Sequence, residues 1–144
     1  MAERDDLTLR AYDLVKTFPP GERFELSAQV RRSAVSIPSN IAEGQSCGEE
    51  GRYLHHVRSA QGSLGELEIE IEIGKRLGFI SEKDFHDAER MLTRTGQLLH
   101  GLARSVRRRR LQRAGTKLSL LALSAILPVI LLALARSLLA LFQT

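Results

Sequence analysis

Few side chains in this sequence have the types and spacing that catalysis or metal binding requires. The histidines are His55, His56, His86 and His100, and no two of them stand three or four positions apart, the spacing that places two metal ligands on one helix face. Cys47 is the only cysteine, and no obvious base stands near it to activate the thiol. We therefore expect no metal, no cofactor and no small-molecule substrate.

Asn40 and Glu43 stand three positions apart beside Pro38, and a buried polar pair there could resemble an active site. Such groups more often satisfy a backbone interrupted by proline, or a subunit contact. The chain also has no Walker phosphate loop, no dinucleotide-binding glycine pattern and no serine-nucleophile elbow. The sequence thus predicts a protein that is not an enzyme.

The composition fits one helical domain with an appendage. The chain has 144 residues, of which 43% are hydrophobic and 26% charged. All 17 acidic residues lie in residues 1–105, whereas residues 106–144 contain 7 of the 21 Lys and Arg residues and no acidic one. The positive charge therefore belongs to the tail, which weakens a simple nucleic-acid interpretation. A single cysteine and the absence of a signal peptide favour a reducing compartment.

Apolar residues at helical spacing predict two helices in the first third of the chain. The first covers residues 5–18, with Asp5 and Asp6 as caps, and the run of prolines and glycine at 19–21 ends it. The second begins near Glu25 and contains Pro38, where we expect a kink. The carbonyl that Pro38 leaves without a donor would be satisfied by Ser39 or Asn40.

Two further helices follow a predicted loop at residues 44–51. The third ends at Gly78, and the fourth starts at Ser81 with Asp84 three positions on. Their inward stripes are predicted to be Tyr53, Leu54, Val57, Ala60, Leu64, Leu67, Ile71 and Leu77, then Phe85, Ala88, Met91, Leu92, Thr95, Leu98, Leu99, Leu102 and Val106. On the outside of the third helix, Glu68 and Glu72 would face Lys75 and Arg76.

The fold class predicted is all-α: an antiparallel up-down four-helix bundle with an apolar C-terminal helix. The predicted organisation is a bundle at 1–105, a basic linker at 106–117 and an apolar tail at 118–144. Surface arginines could bind phosphate, although pairing with nearby carboxylates is the simpler interpretation. The candidate nucleic-acid-binding residues are Arg31, Arg32, Arg52, Arg58, Arg107, Arg108, Arg109 and Arg110.

Several separated motifs resemble the intervening-sequence proteins, a four-helix-bundle family encoded in insertions of bacterial large-subunit ribosomal RNA genes. Residues 36–44 resemble the family signature SIPxNIAEG, and residues 62–68 resemble its GSxxELE segment. Motif residues between 12 and 26 are similar to the family's first helix and turn, and residues 77–80 are similar to its turn before the fourth helix. The signature positions are Ser36, Ile37, Pro38, Asn40, Ile41, Ala42, Glu43, Gly44, Gly62 and Ser63.

The resemblance implies a left-handed four-helix bundle that assembles as a homopentamer, and it implies little chemistry. A related branch, the accessory variability proteins of diversity-generating retroelements, is thought to bind nucleic acid through a basic surface. Two departures reduce that surface here: residues 45–50 are not basic, and Gln61 stands where arginine is common.

The tail is a second source of function. From Leu118 to Ala135 no residue is charged, and as a helix this segment would extend about 27 Å, close to the thickness of a hydrocarbon core. The basic residues before it would keep the bundle cytoplasmic, at the inner face of a bacterial inner membrane. A buried or oligomer-packed helix, and a tail without an evolved role, are the alternatives.

Together these observations predict a non-enzymatic, self-assembling scaffold or adaptor, anchored to a membrane by its tail. The alternative is a homopentamer that binds RNA or DNA through its basic surface. Phosphate binding would weaken steeply with salt, whereas association through apolar faces would not.

Overall fold

The computed structural model describes the backbone of residues 2–142 and the side chains within that range, except at 2–6, 23, 129–130 and 132–142. Over this range the chain forms four α-helices and no strand. They are α1 (Ala2–Leu14), α2 (Leu26–Ser46), α3 (Glu50–Arg76) and α4 (Glu82–Phe142), with short 3-10 helices at Val15–Thr17 and Pro20–Arg23. The predicted all-α four-helix bundle is confirmed.

One hydrophobic core joins the four helices, and it follows most of the predicted stripes. Two predicted core residues are on the surface instead: the side chains of Leu77 and Leu98 are 54% and 48% exposed. Leu77 is the C-cap residue of α3, immediately before the turn at Gly78. The fully enclosed large side chains are Leu7, Ile41, Leu67, Ile71, Val30, Val57 and Val106.

The first helix differs from its predicted span of 5–18. It begins at Ala2, and after Leu14 it tightens into a 3-10 turn because Phe18, which precedes Pro19, has extended backbone angles of φ −73° and ψ 147°. The Phe18 ring packs 5.4 Å from the ring of Phe79. The side chains of the predicted caps at positions 5 and 6 lie outside the described residues.

Pro38 lies within the continuous helix α2, and α1 compensates for its missing N–H. The carbonyl four residues earlier, that of Ala34, accepts a hydrogen bond from the Thr8 hydroxyl at 3.1 Å. Ser39 and Asn40 donate to the carbonyls of Val35 and Ser36. The prediction that Ser39 or Asn40 would satisfy the free carbonyl is therefore wrong, since each side chain reaches back to its own i−4 residue.

Replacing Thr8 with valine is expected to lower the free energy of unfolding by about 1–3 kcal/mol. Valine preserves the shape of threonine but leaves the partly buried Ala34 carbonyl without a donor. Ser39→Ala is the matched control, because the Val35 carbonyl is also within the regular helical ladder. Urea denaturation of both variants measures the difference, and equal losses would contradict the assigned role of Thr8.

The connection between α2 and α3 is shorter than the predicted loop at 44–51. Gly44 is buried inside α2, and the Ser46 hydroxyl donates to the carbonyls of Ala42 and Glu43 in the last turn. The helix ends just before Gly48, whose φ of +66° lies in the left-handed region that favours glycine. The prediction took Gly44 as a loop residue because small residues are common in loops, but here a small residue permits close helix packing.

The turn between α3 and α4 forms as predicted. Gly78 has φ +75° and donates to the Lys75 carbonyl, while Phe79 donates to the Gly74 carbonyl, which is the Schellman pattern. At the start of α4 the Ser81 hydroxyl accepts from the Asp84 N–H and donates to the Asp84 carboxylate. These two bonds cap the helix at the predicted residue.

The predicted charge pairs on the outside of α3 are partly confirmed. Arg76 pairs with Glu72 at 2.8 Å. Lys75 instead pairs with Glu82 of α4 at 3.0 Å, and its ammonium lies 4.1 Å from the centre of the Phe85 ring. A contact with the next helix thus replaces the one predicted within α3.

The chain divides into two compact units, Met1–Arg107 and Arg108–Thr144. Helical backbone continues from the first unit through 106–117 to residue 142. Within the described residues, no helix has an apolar stretch long enough to cross a membrane. The later part of the predicted span, at 129–130 and 132–135, lies outside the described side chains. The apolar C-terminal helix and its membrane role therefore stay predictions.

Candidate functional site

Signature residues form a polar seam between α2 and α3. The hydroxyls of Ser36 and Ser63 lie 2.8 Å apart, and the Asn40 amide donates to both the carbonyl and the hydroxyl of Ser36. Ile37 and Ile41 stand on the same helix but point into the core, with 2% and 1% exposure. The signature therefore joins two helices by hydrogen bonds on one side and by apolar packing on the other.

The signature does not form the polar pair considered as an active site. Asn40 is directed to Ser36, whereas the Glu43 carboxylate lies 3.5 Å from Nδ1 of His56 in α3. Gly44 explains how α3 comes this near: a Cβ built there would lie 2.6 Å from Tyr53 Cδ2 and 2.9 Å from His56 Cβ. These signature residues determine the approach of two helices.

Glu70, beside the same seam, is half-buried, and its two carboxylate oxygens have different surroundings. Ser33 donates to its Oε1 at 3.0 Å, whereas Oε2 is buried without a hydrogen-bond partner. Burial raises the pKa of this carboxyl above 4.5, and the nearby Glu66 also raises it, while the Ser33 bond and the charge of Arg32 lower it in part. Ionisation of Glu70 is therefore costly, because one of its oxygens is buried without a hydrogen bond.

An exposed apolar row runs along α3 next to Glu70. Ile69, Ile73 and Leu77 follow one another at intervals of four and are 62%, 41% and 54% exposed. Glu70 stands three positions before Ile73 and therefore neighbours it on the helix surface. The row of Ile69, Ile73 and Leu77 is the candidate contact surface and is called the α3 surface below.

Glu70→Gln is expected to make the free energy of unfolding less dependent on pH. A raised folded-state pKa means that the folded protein retains a proton that the unfolded chain has released, so the free energy of unfolding falls as pH rises from the unfolded-chain pKa, about 4, through the raised folded-state pKa. Glutamine still accepts from Ser33 but does not ionise. Denaturation across this range should show that the free energy of unfolding of E70Q increases relative to that of the wild type as pH rises.

Glu68→Gln is the control for the pH experiment, because Glu68 is an exposed glutamate two positions away on the same helix. We expect its stability to run parallel to that of the wild type across the same pH range. If E70Q also ran parallel to the wild type, burial of Glu70 would have no energetic consequence.

The predicted nucleic-acid-binding arginines lie on several elements. Arg52 is exposed and pairs with Glu49 at 3.1 Å, and Arg32 is near enough to Glu70 for its charge to lower that carboxyl's pKa. Arg58 and Arg107 are exposed in the first unit, whereas Arg108, Arg109 and Arg110 are exposed in the second. Nucleic-acid binding by these residues stays a prediction.

The histidines do not form one cluster among the described residues, and each has different neighbours. His86 lies beside Glu82 and Glu89 on α4, and His100 contacts Gln61 at 3.0 Å. In the described part of the chain, no group of three His, Cys, Asp or Glu side chains is placed to hold a metal ion.

The expectation that Cys47 has no base nearby is wrong. Its Sγ lies 3.8 Å from Nε2 of His56. The two residues are nine positions apart and come together because the chain reverses between α2 and α3. A register argument across a short helical hairpin could have found this pair, but the predicted loop at 44–51 was too long to place it.

The fold and the seam define a small antiparallel four-helix bundle held together by signature residues. Residues 2–101 match the sequence model of the family described as 23S rRNA-intervening sequence protein. The chain belongs to this family, and the resemblance seen in the sequence is confirmed.

A solved structure supports the same fold. The chain is similar to a protein of unknown function from the S23 ribosomal protein family of Bacteroides thetaiotaomicron, with a TM-score of 0.66 and 21% identity over 72% of this chain and 93% of the other. At this identity the likeness supports the fold alone. No curated protein matches the chain.

Proposed function

We propose that the protein is a non-enzymatic, self-assembling scaffold in which copies of the bundle associate through the α3 surface. The observation that carries this proposal is the exposed row of Ile69, Ile73 and Leu77 on α3. Apolar side chains grouped on a surface are typical of an interface. Five subunits, as the family resemblance implies, is the stoichiometry to test.

Ile73→Glu is expected to dissociate the assembly. A charge placed in the middle of the row must be desolvated against an apolar partner surface and lies near Glu70, so association should weaken at least about 100-fold. Sedimentation velocity of the full chain in mild detergent gives the mass of the particle. The wild type should sediment as one defined oligomer, and the variant as a single chain.

Leu9→Glu is the matched control for this experiment. Leu9 is 63% exposed, on α1 and outside the row, so the same change of chemistry should leave the oligomer intact. A wild-type chain that sediments as a monomer would refute self-assembly. An oligomer unaffected by Ile73→Glu would place the interface elsewhere.

We propose as a second candidate function that the tail attaches the scaffold to a membrane. The described apolar side chains of the second unit are exposed around the helix, which is unfavourable in water. The large ones are Leu111, Leu118, Leu120, Leu121, Leu123, Ile126, Leu127 and Leu131, with exposures of 54–71%.

Cell fractionation with a carbonate wash tests membrane attachment. The full chain should stay with the membranes, and the double variant Leu123→Glu and Leu127→Glu should leave them. Leu98→Glu, a similar change on an exposed leucine of the first unit, should stay attached. Release of the wild-type chain into the wash would overturn attachment.

A further inference from the structure

Three chemically complementary side chains meet where α2 turns into α3. Cys47, the C-cap residue of α2, is partly exposed, and its Sγ lies 3.8 Å from Nε2 of His56. The other ring nitrogen of His56, Nδ1, lies 3.5 Å from Oε2 of Glu43. The His56 side chain is 22% exposed, so the ring is held between the thiol and the carboxylate with one edge open to solvent.

The backbone holds this cluster in place. Glu43 and Cys47 are four residues apart on α2 and share a helix face, and the Cys47 N–H donates to the Glu43 carbonyl at 3.2 Å. Gly44, between them, has no side chain, and a Cβ there would lie 2.6 Å from Tyr53 Cδ2 and 2.9 Å from His56 Cβ, so glycine permits the close approach of α3. The imidazole is therefore positioned by helix packing and not by a mobile loop.

The order of groups is that of a nucleophile with a base: a thiol, an imidazole within reach of it, and a carboxylate 3.5 Å from the other ring nitrogen, which acts through its charge because Nδ1 has no hydrogen-bond partner. The reactivity of Cys47 therefore depends on transfer of the thiol proton to His56 Nε2. The Glu43 carboxylate beside Nδ1 stabilises the imidazolium that this transfer creates.

We propose that Cys47 is a thiol-modification site at which His56 acts as the base, and that its reaction partner is a small disulfide. The Cys47 proton moves to Nε2 while Sγ attacks one sulfur of the disulfide. The S–S bond of the small molecule breaks, a mixed disulfide forms on Cys47, and the departing thiolate takes the proton from His56. The protein thiol is oxidised and half of the small disulfide is reduced.

The charges around the cluster select among disulfides. Glu43 belongs to the cluster, and Glu49 and Glu50 follow Cys47 closely in the sequence, while Arg52 pairs with Glu49. This acidic surrounding attracts a cation and repels an anion. Cystamine, a cationic disulfide, should therefore react faster than neutral hydroxyethyl disulfide, and oxidised glutathione, which is anionic, should react most slowly.

The test uses the reduced full chain and follows adduct formation by intact mass at pH 7. A free cysteine is only a few per cent thiolate at this pH, so base assistance should raise the rate about tenfold over the same chain in denaturant. His56→Asn should lose that advantage with all three disulfides. Glu43→Gln should lose part of it with the neutral disulfide, where attraction of the reagent plays no role.

His55→Asn is the matched control, because His55 is the exposed neighbour of His56 on α3. Its rate should equal that of the wild type, and circular dichroism checks that each variant is folded. The proposal is overturned if the wild-type rate equals that of the denatured chain. It is also overturned if His56→Asn reacts as fast as the wild type, or if His55→Asn is slowed equally.

Discussion

Ile71→Ala is expected to lower the free energy of unfolding by about 2–5 kcal/mol. Ile71 has no exposed surface and lies in the shared core, so removing most of its side chain leaves a cavity that the helices can only partly close. Urea denaturation, with an unchanged dependence on urea concentration, measures this loss.

Ile69→Ala is the matched control for Ile71→Ala, since the two isoleucines are two residues apart on α3 and differ mainly in burial. Ile69 is 62% exposed, so its truncation should cost less than about 0.5 kcal/mol of bundle stability. Its effect should depend on protein concentration, because Ile69 belongs to the α3 surface. If both variants lost the same free energy of unfolding at every protein concentration, the assignment of Ile71 to the core and of Ile69 to the exposed row would be contradicted.

Gly44→Ala is expected to destabilise the protein by about 1–3 kcal/mol, although alanine is the better helix former. The new Cβ would lie 2.6 Å from Tyr53 Cδ2 and 2.9 Å from His56 Cβ, and the second atom cannot move without its backbone. The two helices must therefore separate. Thermal or urea denaturation should show the loss, and the Cys47–His56 contact should weaken with it.

Gly62→Ala is the control for Gly44→Ala, because both glycines belong to the family signature and lie inside helices. Nothing lies within 4 Å of a Cβ at Gly62, so the substitution should stabilise the protein by up to about 1 kcal/mol through helix propensity. Gly44→Ala should therefore lower the free energy of unfolding, whereas Gly62→Ala should raise it. A stabilising Gly44→Ala would show that the close approach of α2 and α3 is not required.

The amphipathic stripes predicted the fold well. Ala88, Leu92 and Leu99 lie in the core as expected, because helical periodicity is a local property and burial of an apolar stripe follows from it. Leu77 and Leu98 have the same periodicity and are exposed, since the facing surface that covers a residue is supplied by other parts of the chain.

The capping signals were also sufficient on their own. Gly78 and Ser81 act within a few residues of themselves, so the turn between α3 and α4 could be predicted in detail. Gly44 has the same residue type as Gly78 but a different role, because it permits contact with a helix beyond the next turn. Sequence spacing does not distinguish these two uses of glycine.

The sequence by itself determined the four helices, the turn at Gly78 and the family, because each depends on residues close together in the chain or on motifs in order. Only the tertiary structure decided which groups meet across helices. Thr8 satisfies the carbonyl that Pro38 leaves free, and His56 lies beside Cys47. Such pairs depend on the distance and register between packed helices, which the side chains of both helices determine together.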